Sequence, residues 1–179
     1  MRRAWQTAAW RRVQEKSDRI GSIPLRVSPR LQRAVLALPM VLATRSPDRV
    51  ERVVQVVADE ICAALGVPRV HVHVLLRRPH DARGELHGLY TASRERGAEI
   101  RLWMLTAKRQ QVAAFKTFFR TLLHELCHHL DYTLLRLGGS VHCEGFYKRE
   151  SSLFHQITRG LPLEEAPTRP PRSEQDSSS

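Results

Sequence analysis

The chain of 179 residues contains little cysteine and no long hydrophobic run. Its three cysteines, Cys62, Cys127 and Cys143, are scattered and odd in number, which excludes a disulfide framework and favours a reducing compartment. The longest apolar run covers residues 34–43, contains a proline and is too short to span a bilayer. The Arg-rich N-terminus lacks the apolar segment of a secretory signal. We therefore expect a cytoplasmic protein without a transmembrane segment; an organelle transit peptide over the first 35 residues is the alternative.

Acidic residues are scarce relative to basic ones. Because 18 Asp and Glu stand against 29 Lys and Arg, the formal net charge is +11. Residues 1–52 contain twelve basic and four acidic side chains, which gives this segment a net charge of +8. A basic segment with Trp5 and Trp10 is suited to contact a nucleic-acid backbone and to stack on exposed bases. The alternatives are an anionic membrane surface, or a solvated surface whose arginines reflect coding bias.

The most informative motif is His124-Glu125-Leu126-Cys127-His128, which has the form HExxH. Residues four apart on a helix lie on the same face, so His124 and His128 can offer imidazole nitrogens to one metal ion. Glu125 lies one residue further round the helix, where its carboxylate can reach a water molecule at the metal's open position. The motif therefore predicts a metal site in which Glu125 is a base and not a ligand.

The residues around the motif predict that it lies in the middle of a buried helix. Apolar residues occur at helical spacing on both sides of it, and no Pro or Gly occurs between residues 110 and 137. The pair Gly138-Gly139 is a typical stop signal, so we expect the helix to end near Leu137. Two histidines and a glutamate are costly to bury unless something satisfies them, and this favours a metal site.

A catalytic zinc site usually has three protein ligands and one exchangeable water, so a third ligand is required. His142 follows the predicted turn at residues 138–140 and is the first choice on position and ligand type. Glu144 and Glu150 are alternatives, because a Glu on a following helix is the other common third ligand of this motif. Cys143 is a further candidate, because thiolate also binds zinc.

The residues after the motif resemble a known group of enzymes. The stretch His142-Cys143-Glu144-Gly145-Phe146 is similar to the HxxxF element that follows HExxH in SprT-like and WLM zinc metallopeptidases. The resemblance covers residues 47–153, and the strands before the motif match in pattern. Cys143 stands where SprT-like proteins usually have Gly.

This resemblance implies a role for each residue. By that likeness His124, His128 and His142 bind Zn²⁺, Glu125 is the general base, and Phe146 packs beside the third ligand. It also implies a minimal zincin-like fold, in which an edge strand beside the metal binds the substrate peptide by strand addition. The strand predicted over residues 98–105 is the candidate for this edge.

The order of elements predicts an α+β fold in which a small mixed sheet packs on the HExxH helix. We expect a basic helical extension over residues 1–45, a zincin-like metallopeptidase domain over 46–160 and a disordered tail over 161–179. Within the domain the patterns predict helices over 46–65 and 144–158 and strands over 70–76, 86–92 and 98–105.

Other polar residues have alternative interpretations. Asp131, one turn past His128, is either an acceptor that orients a ligating imidazole or an ordinary surface residue. His71 and His73 alternate with valines, so we expect them on the solvent face of a strand. A metal site that they share with His80 is the alternative.

The sequence favours a zinc-dependent endopeptidase that acts on protein or peptide substrates. Glu125 would move the proton from the attacking water to the leaving amine, and Tyr132, Tyr147 and His155 are unranked candidates to stabilise the oxyanion. SprT-like relatives in eukaryotes degrade proteins crosslinked to DNA, which suits the basic segment. One alternative is a structural zinc domain that binds nucleic acid, for which Cys143 would be the fourth ligand. Another is a metal-dependent hydrolase of a non-peptide substrate.

If residues 1–45 bind nucleic acid, the affinity for DNA should fall steeply as salt rises, because released counterions drive the association. Removing this segment should weaken binding and flatten the salt dependence. Replacing Trp5 and Trp10 by Ala should cost more affinity on single strands than on duplex, where the bases are already stacked. Fluorescence anisotropy of labelled DNA measures these affinities, and equal binding with and without the segment would contradict the prediction.

Overall fold

The computed structural model describes residues 8–77, 80–81, 84–85, 88–93, 95, 97–105 and 111–163, so Trp5 and the tail from residue 164 lie outside it. The described residues form five helices and a small three-stranded mixed sheet, which confirms the predicted α+β class. The helices are α1 (Ala8–Asp18), α2 (Pro29–Ala43), α3 (Pro47–Leu65), α4 (Phe115–Thr133) and α5 (Glu144–Thr158). The strands are β1 (Val70–Arg77), β2 (His80–Asp81), β3 (Gly84–Glu85), β4 (Gly88–Ser93) and β5 (Gly97–Leu105), of which β2 and β3 pair separately. None of these helices is long and apolar enough to cross a membrane.

Local sequence signals explain where α2 begins and where α3 begins and ends. The hydroxyl of Ser28 accepts a hydrogen bond from the Leu31 amide at 3.0 Å and caps the start of α2. α3 starts at Pro47, because the fixed φ of proline suits the first helical turn. It ends where Gly66 adopts a left-handed conformation with a φ of 64°. The predicted helix over residues 46–65 is confirmed.

The sheet has the order β1-β5-β4, with β1 parallel and β4 antiparallel to β5. β5 is therefore the central strand, and the prediction that residues 98–105 form the edge was wrong. The physical reason lies in its second half, where four consecutive residues are buried, as is typical of a strand covered on both faces. Among the described strands, β4 is the edge that lies beside α4.

The exposed histidines of β1 match their prediction. Burial alternates along the first half of this strand, so that its valines face the core while His71 and His73 face solvent. The side chain of His80 lies outside the described residues.

The helix that carries the HExxH motif is shorter than predicted. It ends at Thr133, four residues before the predicted end near Leu137. The amides of the next two residues both bond to the carbonyl of Leu130, and Arg136 has a left-handed φ of 50°. The helical pattern therefore stops before the glycine pair is reached. The last helix, α5, matches its predicted range of 144–158.

The hydrophobic core includes α2, which lies within the predicted basic extension of residues 1–45. The apolar side of α2 belongs to one cluster with buried residues of α3, β1, β5, α4 and α5. Its buried residues are Leu31, Val35, Leu38 and Leu42. Truncation at residue 45 would remove these side chains, so a test of nucleic-acid binding needs substitutions of exposed arginines, such as Arg11 and Arg12 of α1, instead.

We expect Leu38→Ala to lower the free energy of unfolding by about 2–5 kcal/mol, because Leu38 is fully buried and its truncation leaves a cavity. Met40→Ala is the matched control on the same helix. Met40 is 78% exposed, so its truncation should change stability by less than about 0.5 kcal/mol. Urea denaturation measures both values. Equal effects would contradict the packing of α2 in the core.

Candidate metal centre

Three histidine side chains converge on one point. His124 and His128 lie on the same face of α4, one turn apart. His142 lies just before α5, and its Nε2 atom is 3.1 Å from Nε2 of His124 and 3.0 Å from Nε2 of His128. The three candidate ligand atoms all lie within 4.8 Å of one another. These histidines are therefore close enough to bind one metal ion.

The spacing and the protonation of the rings both fit a metal. Nitrogen ligands at ~2.0–2.1 Å from a tetrahedral zinc lie about 3.3 Å from one another, close to the separations seen here. Burial, together with the neighbouring His124 and His142, lowers the pKa of His128 to about 4. Burial also lowers the pKa of His142. Neutral rings at pH 7 have a nitrogen lone pair available for a metal.

Two competitors of His142 for the third position are directed elsewhere. Sγ of Cys143 is buried and lies 3.1 Å from Oγ of Ser17, at the end of α1. The side chain of Glu144 is 73% exposed and pairs with Lys148 at 2.6 Å. Among the described residues, the cluster contains the three histidine nitrogens and no fourth ligand atom.

Glu150 contacts a candidate ligand histidine and not the point on which the three histidines converge. Its Oε2 lies 3.2 Å from Nδ1 of His124, and its Oε1 lies 3.3 Å from Nη1 of Arg120. A carboxylate at Nδ1 holds the proton on that nitrogen and leaves Nε2 free for a metal. Glu150 therefore orients His124, whereas the sequence made it an alternative to His142 as the third ligand.

His128, the second histidine of the motif, also reaches a carboxylate, but through the hydroxyl group of Ser140. Nδ1 of His128 lies 2.7 Å from Oγ of Ser140, and the Ser140 hydroxyl donates to Oδ2 of Asp131 at 2.8 Å. Asp131 is fully buried, so it is not an ordinary surface residue. Of its two interpretations, the acceptor is the one that the geometry matches, although Asp131 reaches the imidazole through Ser140.

Phe146 packs against all three histidine rings. Its side chain is fully buried, and its ring centroid lies 4.9, 4.8 and 5.1 Å from the centroids of His124, His128 and His142. This contact restricts rotation of the rings, so that their nitrogens stay directed to a common point.

Glu125 is buried beneath the edge strand β4. Burial raises the pKa of its carboxyl group, while His124 and the backbone amide of Tyr90 act in the opposite direction. The strand passes so close that a Cβ atom at Gly88 would lie 2.5 Å from Oε1 of Glu125. A side chain at position 88 would therefore displace either the strand or the carboxylate.

His129 faces away from the three histidines and has a structural role. Its Nε2 donates to the carbonyl of Pro68 at 2.8 Å, which leaves Nδ1 to accept from the Tyr90 hydroxyl at 3.2 Å. These bonds tie α4 to β4 and to the residues before β1. The Tyr90 ring also stacks on Tyr132, with centroids 6.1 Å apart and 15° between the ring planes.

A cleft of 720 Å³ lies between α4 and β4, and its walls contain the three histidines and Glu125. Arg120 lines one part of the cleft and Tyr132 another, three turns further along α4. Of the three candidates for oxyanion stabilisation, Tyr132 lines this cleft. Tyr147 and His155 line a separate depression of 530 Å³.

Comparison of the chain with protein-family models, with curated proteins and with solved structures found no match in any of the three. The histidine cluster, Glu125 and the cleft are therefore the features from which a function can be inferred.

Three residues that shape the site were missed in the sequence. Gly88 lies in a strand predicted from its pattern alone, and its closeness to Glu125 depends on tertiary packing. Ser140 was assigned only to a turn, although its position two residues before the third ligand is a signal that could have indicated a role. Arg149 lies on the apolar face of α5, and a charge on such a face indicates a buried partner.

We expect His142→Ala to lose bound zinc to the same extent as His128→Ala, because each removes one of three converging nitrogens. Glu144→Ala, the control at a neighbouring exposed position, should keep its zinc. Metal content after gel filtration, measured by mass spectrometry, tests this. Full zinc in His142→Ala combined with its loss in Glu150→Ala would make Glu150 the third ligand and the site gluzincin-like.

Proposed function

We propose that this protein is a zinc-dependent metallopeptidase with a zincin-like fold, similar to the SprT-like enzymes. The observation that supports this most is the convergence of three imidazole nitrogens beside a buried glutamate in the wall of a cleft. Three protein ligands and a side that faces the cleft are the arrangement of catalytic zinc sites, because water and substrate need the remaining position.

The donor set favours zinc over the common hard cations. Calcium and magnesium bind oxygen ligands, whereas imidazole nitrogens suit zinc and the neighbouring transition metals. Zinc held by His124, His128 and His142 would lower the pKa of a water molecule and polarise a substrate carbonyl group.

Glu125 has the position and environment of a general base. Its ionised carboxylate accepts the proton of the attacking water and then donates it to the leaving amine. Burial raises its pKa, which brings uptake and release of that proton closer to neutral pH. Two residues are candidates for the oxyanion role: Tyr132 lines the cleft, and the ring centroid of Tyr147 lies 6.1 Å from that of His142.

The position of β4 at the edge of the described sheet supports a peptide substrate. Among the described strands β4 pairs only with β5, and Gly88, Leu89 and Tyr90 line the cleft. An extended peptide can add to such an edge through main-chain hydrogen bonds, which would place it over the histidines. β5 cannot serve in this way, because it is paired on both sides.

The two alternative functions are less well supported. A structural zinc domain would need a fourth protein ligand, but the Cys143 thiol is hydrogen-bonded to the Ser17 hydroxyl instead. A hydrolase of a non-peptide substrate would make no use of the edge strand β4 beside the cleft. Binding of nucleic acid by the basic N-terminal residues, among which Trp10 is 41% exposed, stays a prediction.

We expect Glu125→Gln to keep its fold and its zinc but to lose peptidase activity by about two to four orders of magnitude, because an amide cannot accept the proton. Glu144→Gln, at an exposed position, is the matched control and should keep its activity. Cleavage of an unstructured protein substrate, metal content and thermal unfolding are measured for both. Loss of zinc or of the fold in Glu125→Gln would make Glu125 a structural residue.

A further inference from the structure

The largest fully buried side chain among the described residues is an arginine outside the histidine cluster. Nη2 of Arg149 donates to Oδ1 of Asp131 and to Oγ of Ser17, each at 2.9 Å. Nη1 donates to the carbonyl oxygens of Ser17 at 2.9 Å and Ile20 at 2.7 Å. A buried guanidinium is costly unless it is paired and hydrogen-bonded, so residues 17–20 at the end of α1 are part of its stabilisation.

The hydrogen bonds from Arg149 to the histidine cluster form a continuous chain. Asp131 accepts from Arg149 with one oxygen and from the Ser140 hydroxyl with the other. Oγ of Ser140 lies 2.7 Å from Nδ1 of His128. A metal at Nε2 requires that the proton of the neutral ring is on Nδ1, and this N–H then donates to Ser140. Every bond in the chain therefore has one donor and one acceptor.

The same N-terminal residues also contact the chain beside His142. The Asp18 carboxylate accepts from the Gly145 amide at 2.8 Å, and the Cys143 thiol lies 3.1 Å from the Ser17 hydroxyl. A Cβ atom at Gly145 would overlap the Ser17 carbonyl, so the two segments are in direct backbone contact. The end of α1 thus supports two of the three candidate ligands.

We propose that Ser140, Asp131 and Arg149 are positioning residues that fix the His128 ring, and that residues 17–20 complete this chain and so help to set the metal affinity. This inference rests on the metal centre of the proposed function and not on peptidase activity. Hydrogen-bond partners of ligand imidazoles commonly change metal affinity by about 10- to 100-fold when they are removed.

The first test is zinc affinity of the full chain, measured by competition with a chromogenic chelator and without substrate. Ser140→Ala and Asp131→Asn should each weaken zinc binding by about 10- to 100-fold, and Ser140→Thr, which keeps the hydroxyl, should restore most of it. Thr133→Ala is the matched control, because it removes a hydroxyl that bonds at 2.7 Å within α4 to the carbonyl of His129. Its affinity should be unchanged.

The N-terminal part of the chain is tested by Ser17→Ala, with Ser22→Ala at an exposed position as its control. Ser17→Ala removes one bond to Arg149 and leaves the two backbone bonds, so we expect a smaller loss of affinity than in Ser140→Ala. The Ser140→Ala, Asp131→Asn double variant should cost no more than the larger single change, because the residues act in series. An additive loss of zinc affinity would contradict the proposal that these residues act in series.

Thermal unfolding with zinc and with chelator separates positioning from folding, even for a variant that is unfolded without metal. Replacing a residue that positions the ligand reduces the stabilisation that zinc provides. Replacing a purely structural residue lowers the unfolding temperature equally with zinc and with chelator. The visible spectrum of the cobalt-substituted protein should also change in Ser140→Ala and not in Thr133→Ala. Unchanged zinc affinity, zinc stabilisation and cobalt spectrum in Ser140→Ala and Asp131→Asn would overturn the proposal.

Discussion

The need to satisfy polar side chains on a buried helix determines how the other elements surround α4. On this helix Glu125, His129 and Asp131 are buried, and the motif histidines His124 and His128 are half-buried, among leucines and phenylalanines. Each has a partner from another part of the chain: Glu150 and Ser140 for the two motif histidines, the Tyr90 amide for Glu125, Pro68 and Tyr90 for His129, and Arg149 for Asp131. Loss of any neighbouring element would leave one of them without its hydrogen bond, so the site and the fold depend on the same contacts.

The two motif histidines are held in a similar way but in different surroundings. Nδ1 of His124 contacts Glu150, which in turn pairs with Arg120, and these side chains remain partly accessible to solvent. Nδ1 of His128 contacts Ser140, which donates to Asp131 of the fully buried Asp131–Arg149 pair. Each carboxylate is neutralised by an arginine, so neither adds a net negative charge beside the cluster. The solvated side can relax when its partner changes, whereas the buried side cannot, because its charges have no water to replace a lost contact.

The parts of the fold that depend on local sequence were predictable. The helix over 46–65 follows from Pro47, Gly66 and apolar spacing, and the helix over 144–158 follows from its residue pattern. The grouping of His124, His128 and His142 follows from helical periodicity and a turn. The central place of β5 could not be read in the same way, because the pairing of β1 with β5 joins residues about 28 positions apart, such as Val70 and Ala98. The contribution of α2 to the core could not be read from the net charge of residues 1–52, because a count of charges hides the alternation of exposed arginines with buried apolar residues. Gly88 matters through its closeness to Glu125 in three dimensions, and no local pattern reports that.

The position of β4 at the edge of the described three-stranded sheet has a consequence for the behaviour of the protein in concentrated solution. Edge backbone groups that are not already bonded within the protein, as the Tyr90 amide is to Glu125, can pair with the same strand of another copy, and such pairing is a common start of aggregation. β4 is only six residues long, and its last three are exposed and small or polar. The net charge of +11 opposes association further, because like-charged copies repel one another at low ionic strength. The excess of arginine therefore contributes to colloidal stability, and high salt should promote self-association by screening it.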